Sequence, residues 1–393
     1  MSLVLEGIKV LDSSQYGTGP YATLLLGFLG AEVIKLEAPS GDPMRVLSTY
    51  HKGISYPYVL LNVNKKCITL NLKKDKGKDI FRELIKHVDI LVENFLPGTM
   101  EKWGLTYEGL TEINPRIIYA SISGFGRGSR YEKTPAYDPI IQAVGGAMAS
   151  TGFPGNPPIR CPAAYADFGA ATHFAMAIMG ALYYREKTGQ GQRVEIAMRD
   201  TILYFPLGIH NVYHESAKVE KEIGNRMVGV APYNVYQARD GYIYILGLTD
   251  AQANEVMKVI GREDFITPDK YGSPYTRWRN REEIDTMIGA WTQSRTKQEI
   301  YDEMARRDVP CSPVLDVEEV WNDEDLIQRG MIAEIDQPGI GKVKVLNSPI
   351  KLPSPVGPIK PAPLLGQHNQ EIYETLLGLT PNETYELKEA SVI

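Results

Sequence analysis

A carboxylate that could act as a nucleophile stands at Asp167, in the run YADFG at residues 165–169. The run opens a long apolar segment that the pattern predicts to be a helix. A carboxylate at that place has two uses. It can cap the helix by accepting hydrogen bonds from backbone N–H groups, or, kept ionised by the positive end of the helix, it can attack an electrophilic carbonyl carbon. The local sequence alone favours the cap.

Six lysines could supply positive charge for an anionic ligand. They fall within fourteen residues, at Lys65, Lys66, Lys73, Lys74, Lys76 and Lys78. A lysine ammonium binds phosphate as a point charge, and the start of a predicted helix at Asp75 would add backbone N–H donors. For most of these lysines a solvated protein face is an equally good interpretation.

A glycine-rich pattern near the N-terminus resembles a dinucleotide-binding fingerprint. Residues 17–22, GTGPYA, match G-x-G-x-x-A, and Glu37 closes the next predicted strand, where it could hold a ribose. The fingerprint needs its first glycine directly after a strand. Here residues 12–16 follow the predicted end of the strand at Leu11, which makes the loop too long for that tight turn. A glycine-bearing loop at the start of a helix is the favoured interpretation.

Predicted strands and helices alternate through the first 200 residues and must position these groups. Strands are predicted at 7–11, 32–37, 67–72, 89–92, 116–121 and 193–197, and helices at 20–29, 75–87 and 168–186. Such alternation indicates an α/β fold with a parallel sheet that helices cover on both faces. The helix at 168–186 is apolar nearly all round, which predicts that it is buried inside the protein.

The pattern changes at about residue 200. Residues 225–246 carry hairpin-like strands around an Asp-Gly turn signal, and helices are predicted at 251–260, 282–292 and 297–306. This part indicates a second, α+β domain. Residues 338–363 are rich in proline and glycine, which predicts an extended covering segment.

The composition of the chain argues against several classes of binding partner. The chain has 393 residues and a formal net charge of −6, so it lacks the basic balance of a protein whose main partner is nucleic acid. Its three cysteines and six histidines show no metal-ligand spacing, and no metal is expected. No signal peptide and no membrane-spanning stretch are recognised, so we expect a cytoplasmic protein without a membrane partner.

Many collinear segments make the chain similar to the family III (class III) coenzyme A-transferases, the group of formyl-CoA transferase, carnitine CoA-transferase and α-methylacyl-CoA racemase. The segments run from residue 3 to about 368 and include LEGIKVLD, GPYATLLLGFLGAEVIKLE, DILVENFLPGTMEKWGL, AAYADFGAATH and PAPLLGQH. The resemblance implies a Rossmann-like large domain built from both chain ends, residues 1–200 and a return over 319–393. A linker at 201–224, a small α+β domain at 225–318 and an interlocked homodimer complete this expectation.

By the same resemblance, the chain moves CoA from an acyl-CoA donor to a carboxylic acid, with Asp167 as the nucleophile. The donor forms a mixed anhydride with Asp167, CoA then forms an aspartyl thioester, and the acceptor acid reverses both steps. An acyl-CoA is therefore a substrate, and no permanently bound cofactor is expected. The further residues that the resemblance places at CoA or substrate are Gln15, Gly17, Thr18, Leu70, Lys73, Asn94, Phe95, Lys102 and Tyr137.

Tyr137 bears on the branch of the family to which the chain is most similar. The racemases carry a catalytic histidine in a Gly-His-Asp sequence at this point, whereas Tyr137 here stands between Ala136 and Asp138. A tyrosine is a poor base at neutral pH, so transfer is favoured over racemisation. The alternatives are racemisation on the same fold and non-covalent binding of CoA or a dinucleotide. For Tyr137 itself, a core aromatic is the competing interpretation.

Two features differ from formyl-CoA transferase. Residues 224–229 contain only isolated glycines where that enzyme has a run of glycines, and Gly17 stands where it has a glutamine. The resemblance therefore does not predict formyl-CoA and oxalate as the substrates. Arg45 and Arg226 are candidates for holding a second carboxylate of the acceptor, and an ordinary surface arginine is the more common interpretation of each.

Overall fold

The structure, a computed structural model, describes residues 3–48, 53–217, 219, 223–353 and 358–393. Spatial proximity divides the chain into two compact units. The larger consists of Met1–Gly145, Pro162–Tyr204 and Glu324–Ile393, and the smaller of Gly146–Cys161 and Phe205–Asp323. The larger unit therefore draws on both ends of the chain.

The strands of the described residues form three sheets. In chain order they are β1 (Lys9–Asp12), β2 (Glu32–Glu37), β3 (Lys65–Thr69), β4 (Ile90–Glu93), β5 (Ile118–Ser123), β6 (Arg193–Ala197), β7 (Tyr233–Ala238), β8 (Gly241–Leu246), β9 (Cys311–Pro313), β10 (Ile332–Gln337) and β11 (Gly341–Leu346). The first six form a parallel sheet in the order β3-β2-β1-β4-β5-β6. The other two sheets are antiparallel, β7-β8-β9 and β10-β11.

The α-helices complete the list of regular elements. They are α1 (Thr18–Phe28), α2 (Tyr56–Asn62), α3 (Asp75–Ile85), α4 (Thr99–Lys102), α5 (Tyr107–Ile113), α6 (Asp138–Val144), α7 (Ala147–Ser150), α8 (Tyr165–Thr188), α9 (Met198–Ile202), α10 (Leu207–Ser216), α11 (Asp250–Val259), α12 (Pro274–Arg279), α13 (Arg281–Thr292), α14 (Lys297–Ala305), α15 (Val317–Trp321), α16 (Glu324–Gln328) and α17 (Pro381–Glu389). Short 3₁₀ turns occupy Pro43–Arg45 and Glu263–Phe265, and a π-helical turn occupies Glu371–Leu376.

Alternate residues of the parallel sheet point into two separate cores. Val10, on one face, packs in a cluster with Leu26 of α1 and Phe174 of α8. Leu11, on the other face, belongs to a cluster that includes Phe81 of α3 and Tyr373 near the C-terminus. Because neighbouring strand residues point to opposite faces, burial of both sets requires helices on both sides. The predicted parallel sheet covered on both faces is confirmed.

The strand order places a crevice at one edge of this sheet. The order reverses between β1 and β4, as in doubly wound folds, and ligands of such folds bind outside the carboxyl ends of the strands at that point. Loops that follow β1, β4 and β5 therefore surround the place where a ligand would bind.

The C-terminal part of the larger unit returns to the parallel sheet. The Tyr373 hydroxyl donates to the Thr69 carbonyl oxygen at 2.6 Å, and the Asn71 N–H donates to the Val392 carbonyl oxygen at 2.7 Å. Within the segment predicted to be extended, residues 338–363, residues 341–346 form β11 against β10, and residues 354–357 lie outside the described residues. The alternation of lysine and valine at residues 342–345 has the period of a half-buried strand, and the surrounding proline and glycine obscured it.

The exposure of α8 differs from the sequence expectation. Ala170, Phe174 and Ile178 are buried, but Met176 and Tyr183 on the same helix are 65% and 63% exposed. The prediction of a helix buried within the protein is therefore wrong for the single chain. The all-round apolar pattern does not distinguish burial within one chain from burial by a second one.

The smaller unit contains the predicted hairpin. β7 and β8 pair in antiparallel fashion around the Asp240–Gly241 turn, and Gly241 has a φ of 146°. Ile243 and Ile245 of β8 point into a core with Val256 of α11 and other helical side chains. This arrangement confirms the hairpin and the mixed α and β character that the sequence predicted for this part.

Membrane-spanning helices and clusters of metal-ligating side chains are both absent from the described residues. None of their helices combines the length and the apolar character that crossing a membrane needs. No group of three or more histidine, cysteine, aspartate or glutamate side chains comes together among them as metal ligands do.

Candidate active site

A cavity of about 370 Å³ lies in the larger unit at the carboxyl ends of β1, β4 and β5. This is the edge where the strand order reverses, so the cavity lies where doubly wound folds bind ligands. The cavity brings together seven of the ten predicted site residues, namely Gln15, Gly17, Thr18, Asn94, Phe95, Tyr137 and Asp167.

Asp167 lies in the first turn of α8 without capping it. The N-cap residue is Ala164, which has no side-chain oxygen, and the backbone N–H groups of Ala166 and Asp167 donate to the Asp138 Oδ1 at 3.0 and 3.3 Å. The interpretation of Asp167 as the cap is therefore wrong. Because Asp138 of α6 supplies the acceptor from outside the helix, the Asp167 carboxylate is left to line the cavity. Sequence reasoning missed this role of Asp138, since only tertiary structure places α6 beside α8.

Burial sets the protonation of Asp167. Removal from water raises the pKa of this carboxyl to about 6, the hydrogen bond from Thr18 opposes the shift, and the nearby Asp138 adds to it. At pH 7 the group is still ionised by roughly ten to one. The sequence expectation of an ionised carboxylate holds at pH 7, but the helix end does not keep its pKa low. Asp167 thus combines negative charge with poor solvation, which favours nucleophilic attack.

The start of α1 approaches the Asp167 carboxylate closely. The Thr18 Oγ1 donates to the Asp167 Oδ1 at 2.5 Å. A Cβ atom at Gly17 would lie only 3.1 Å from the Asp167 Oδ2, which is closer than most such contacts in proteins. The absence of a side chain at residue 17 therefore keeps space open at the carboxylate oxygen that Thr18 does not bind.

Asn94 holds the loop between β1 and α1. The Gln15 N–H donates to the Asn94 Oδ1 at 2.8 Å, and the Asn94 Nδ2 donates to the Gln15 carbonyl oxygen at 2.7 Å. This reciprocal pair uses both ends of the Asn94 amide on the protein's own backbone. Phe95, the next residue, lies with its ring edge-to-face against Trp103 at a centroid distance of 5.2 Å.

Two tyrosines face each other at the cavity. The rings of Tyr16 and Tyr137 are 5.4 Å apart at an interplanar angle of 78°. Tyr137 is 52% exposed, so its interpretation as a core aromatic is wrong. A hydrogen bond with Tyr137 raises the pKa of Tyr16. Sequence reasoning missed Tyr16, and its position between Gln15 and Gly17 in the predicted loop was the available signal.

Three predicted contacts lie outside the lining of this cavity. The side chain of Leu70 is buried in the core that includes Phe81, so only its backbone could meet a ligand. Lys73 and Lys102 are exposed, Lys73 between β3 and α3 and Lys102 at the end of α4. The role of these three residues in binding CoA stays a prediction.

Most of the lysine cluster serves other contacts. Lys65 is buried and its Nζ lies 3.0 Å from the Asp12 Oδ2. Lys66 pairs with Glu32 and Glu371, Lys74 donates to a backbone carbonyl near the C-terminus, and Lys78 pairs with Asp75. The buried Lys65 is therefore not available to a phosphate, and phosphate binding by the exposed members stays a prediction. Lys73, Lys74 and Lys76 are the exposed members that pair with no carboxylate among the described ion pairs, and of these Lys74 donates to the Ala390 carbonyl oxygen.

Glu37 does not hold a ribose. Its carboxylate is buried and accepts hydrogen bonds from the Arg45 Nε at 2.6 Å and the Tyr58 hydroxyl at 2.9 Å. The dinucleotide interpretation of this residue is wrong, because its oxygens bind the protein itself. Through the same contact Arg45 forms an ion pair with Glu37, and Arg226 lies 2.7 Å from the Asp285 Oδ2. Both arginines that were candidates for binding the acceptor acid therefore pair with carboxylates of the chain.

Comparison with known proteins decides the family. Residues 5–369 match the protein family described as CoA-transferase family III. The chain belongs to this family. It is 36% identical to a formyl-CoA:oxalate CoA-transferase of Streptomyces coelicolor, with 99% of each chain covered. It is 34% identical to a succinyl-CoA--D-citramalate CoA-transferase of Chloroflexus aurantiacus, with 99% of this chain and 98% of the relative covered.

Solved structures share the fold of the CoA-transferase. A CAIB/BAIF family protein from Brucella suis superimposes with a TM-score of 0.84 at 30% identity, covering 96% of this chain and 100% of that chain. Rv3272 from M. tuberculosis superimposes with a TM-score of 0.83 at 25% identity, covering 94% and 98% of the two chains. The protein is a class III CoA-transferase, and acyl-CoA and carboxylate substrates follow from its family.

Proposed function

We propose that the enzyme transfers CoA from an acyl-CoA to a carboxylic acid through covalent intermediates on Asp167. The observation that carries this proposal is the state of the Asp167 carboxylate. It lines the cavity beside Gly17, it is relieved of helix capping by Asp138, and it is ionised at neutral pH although largely buried. A carboxylate in that state is an available nucleophile.

The transfer is a sequence of acyl exchanges at one carboxylate. An Asp167 oxygen attacks the donor thioester carbonyl and forms a C–O bond, the C–S bond breaks, and CoA leaves as a thiolate, so that a mixed anhydride of Asp167 and the donor acid remains. The thiolate attacks the aspartyl carbonyl of that anhydride, which releases the donor acid and leaves an aspartyl-CoA thioester. The acceptor carboxylate attacks this thioester, and the freed thiolate then attacks the acceptor carbonyl, which regenerates Asp167. Each step exchanges one carboxylate or thiolate for another, so no net proton and no redox partner are required.

Oxyanion stabilisation is assigned to the start of α1. The first backbone N–H groups of an α-helix have no acceptor inside that helix and carry partial positive charge. In α1 these groups follow Gly17, next to the Asp167 oxygen that Thr18 does not bind. We assign to them the negative charge that develops on the reacting carbonyl oxygen, since donors held in place before the reaction stabilise such charge best.

We propose short-chain acids as donor and acceptor groups. The similar transferases are named for formyl, oxalate, succinyl and citramalate groups, all of which are small. A cavity of about 370 Å³ is of a size that suits such groups. The CoA moiety would extend from the cavity past Phe95, with Lys73 and Lys102 meeting its phosphates as exposed point charges.

We further propose that the two compact units correspond to a CoA-binding domain and a small domain, and that the enzyme is a homodimer. The exposed face of α8 supports the dimer, because Met176 and Tyr183 would otherwise leave large apolar side chains in water. Light scattering coupled to size-exclusion chromatography measures the mass, and a monomer of 43.8 kDa would contradict this assembly.

A trapping experiment tests the covalent route. The enzyme is incubated with formyl-CoA or succinyl-CoA and treated with hydroxylamine or borohydride, and the modified peptide is identified by mass spectrometry. Modification is expected at Asp167 and is expected to vanish in Asp167→Ala. Asp75→Asn, which changes an exposed aspartate at the start of α3, is the matched control and should retain the adduct. Full transferase activity in Asp167→Ala would rule the proposal out. Exchange of the α-hydrogen with deuterated water without an acceptor acid would favour racemisation instead.

A further inference from the structure

We infer that Lys35 and Asp42, a buried ion pair behind the cavity, are positioning residues for the transfer step. They hold the β1–α1 loop, defined here as residues 13–17, so that Gly17 and Thr18 stay against the Asp167 carboxylate. The inference rests on the proposed role of Asp167. Neither Lys35 nor Asp42 is among the residues that line the described cavity, so any effect on chemistry must act through the loop.

Stability alone is a weak reason for this pair. The Lys35 Nζ lies 2.8 Å from the Asp42 Oδ2, and both side chains are almost completely buried. Removing two charges from water is costly, and apolar residues of similar volume often serve a fold equally well or better. A pair retained at this depth is therefore better explained by the contacts that its two members make with their surroundings.

Both members contact the β1–α1 loop directly. The Lys35 Nζ donates to the Ser14 carbonyl oxygen at 2.9 Å. The Asp42 Oδ1 accepts from the Tyr16 N–H at 3.2 Å. Gln15, the residue between these two contacts, is the one that Asn94 holds through both its N–H and its carbonyl oxygen. Three successive loop residues are thus tied to side chains of β2, of the segment after β2 and of the segment after β4, and the first two of these side chains are buried.

Tyr16 gives a specific need for such restraint. Its φ is 63°, in the left-handed region that residues with a side chain disfavour. A residue keeps that conformation only when its surroundings hold it there, and the contact from the Tyr16 N–H to Asp42 does so directly. Gly17 follows immediately, so the direction in which the chain reaches Asp167 depends on this conformation.

The ion pair acts as a fixed support across the working pH range. Burial works to lower the pKa of Lys35, but the negative charges of Asp42, Asp12 and Glu37 outweigh it and raise the pKa above its usual range. Lys35 therefore stays protonated wherever Asp167 is ionised.

The geometry at Asp167 leaves little tolerance for loop movement. Thr18 donates at 2.5 Å, and a Cβ at Gly17 would lie 3.1 Å from the other carboxylate oxygen. A shift of the loop by about 1 Å would lose the hydrogen bond or close the space for the thioester. Displacements of that size at a reacting centre cost on the order of 100-fold in rate.

The test compares this ion pair with a second one of the same unit, in which the cationic side chain is also buried. Lys35→Met with Asp42→Asn removes both charges of the positioning pair, keeps an acceptor for the Tyr16 N–H, and loses the donor to Ser14. Arg185→Met is the matched control, since Arg185 is buried and pairs at 2.9 Å with Asp89, just before β4 at the opposite edge of the sheet. Each protein is assayed for turnover with formyl-CoA plus oxalate and with succinyl-CoA plus citramalate, for melting temperature, and for amide hydrogen exchange over residues 13–17.

The double variant is expected to lose about 10- to 100-fold in kcat while KM for the donor changes less than about threefold, with faster exchange in the loop. The control is expected to keep kcat within about twofold at a similar melting temperature. A folded double variant with unchanged kcat, or an equal loss of kcat in the control, overturns the inference. Lack of an Asp167 adduct in the unmodified enzyme overturns only the covalent route, because kcat and loop exchange are measured separately. If the enzyme turns over neither donor, amide hydrogen exchange over residues 13–17 is the deciding measurement. An exchange rate that is the same in the double variant and the unmodified enzyme then overturns the inference.

Discussion

Two loops follow strands at the same edge of the parallel sheet, and they differ in how firmly side-chain contacts hold them. The β1–α1 loop is tied at Ser14 and Tyr16 to buried polar side chains and at Gln15 to the half-buried Asn94. The segment after β3 carries exposed lysines, and its one described side-chain ion pair, Lys78 with Asp75, is on the surface. The difference fits the roles that we propose for the two loops. Attack on a carbonyl needs atoms placed within a fraction of an ångström, whereas attraction of a phosphate needs only charge within several ångströms.

Loss of the Asp167 carboxylate should have the largest effect on activity. Asp167→Asn keeps the size of the side chain but removes the nucleophilic charge, and we expect kcat to fall by at least about 1,000-fold. Steady-state turnover and adduct formation measure this loss. Asp75→Asn should leave both unchanged, and a variant at Asp167 with more than about a tenth of normal kcat would contradict the comparison.

The same variant should gain stability at neutral pH. The folded pKa of Asp167 is about 6, above the unfolded value near 3.8, so the folded state binds more protons between these pH values. Stability from this group therefore falls as pH rises through that window, and ionised Asp167 costs stability at pH 7. Asp167→Asn is expected to raise the free energy of unfolding by about 1–3 kcal/mol at pH 7 and by little at pH 3. Denaturant titrations at both pH values measure whether the substitution raises or lowers the free energy of unfolding.

Thr18→Val should lower kcat less than Asp167→Asn does, and it should shift the pH profile of kcat. It removes the hydrogen bond that lowers the pKa of Asp167, so the pKa of that carboxyl should rise further above about 6. We expect kcat to fall about 10- to 100-fold at pH 7 and the acid limb of the kcat profile to move to higher pH. Thr286→Val, on the smaller unit, is the control. An unmoved acid limb would show that Thr18 does not set this ionisation.

A methyl group at residue 17 should test the space beside the nucleophile. In Gly17→Ala the new Cβ would lie 3.1 Å from the Asp167 Oδ2, so we expect about a 10-fold loss of kcat with nearly unchanged stability. Gly289→Ala in α13 places its Cβ in open space and should change neither quantity. Equal kinetics of the two variants would mean that the start of α1 does not crowd the reaction.

Lys73→Ala should have the smallest effect, confined to binding. We expect KM for the acyl-CoA to rise about threefold to tenfold at low salt, with unchanged kcat and a smaller difference at high salt. Lys342→Ala removes an exposed lysine of β11 and serves as the control. A fall in kcat, or an effect insensitive to salt, would remove the distinction between the two loops.

Much of the site was accessible through the family resemblance, because the matching residues lie in short contiguous segments. Gln15, Gly17 and Thr18 form one loop, Asn94 and Phe95 follow one strand, and parallel strands bring such loops to one edge. Long-range partners were not accessible. Asp138 as the cap of α8, and Glu37 as the partner of Arg45, depend on which elements pack together. Lys65 is a further case, since it looks like the other lysines of its cluster in sequence and is buried against Asp12 in the fold.

The sequence by itself determined the alternation of elements, the two faces of the sheet and the placement of an aspartate at the start of a long helix, because these depend on local periodicity and turn chemistry. Tertiary structure alone decided that this aspartate is free of the cap and that burial raises its pKa to about 6. It also decided that Lys35 and Asp42 tie down a strained Tyr16. These properties arise from groups distant in the chain that share one small, poorly solvated volume, where each contact changes the energy of the others.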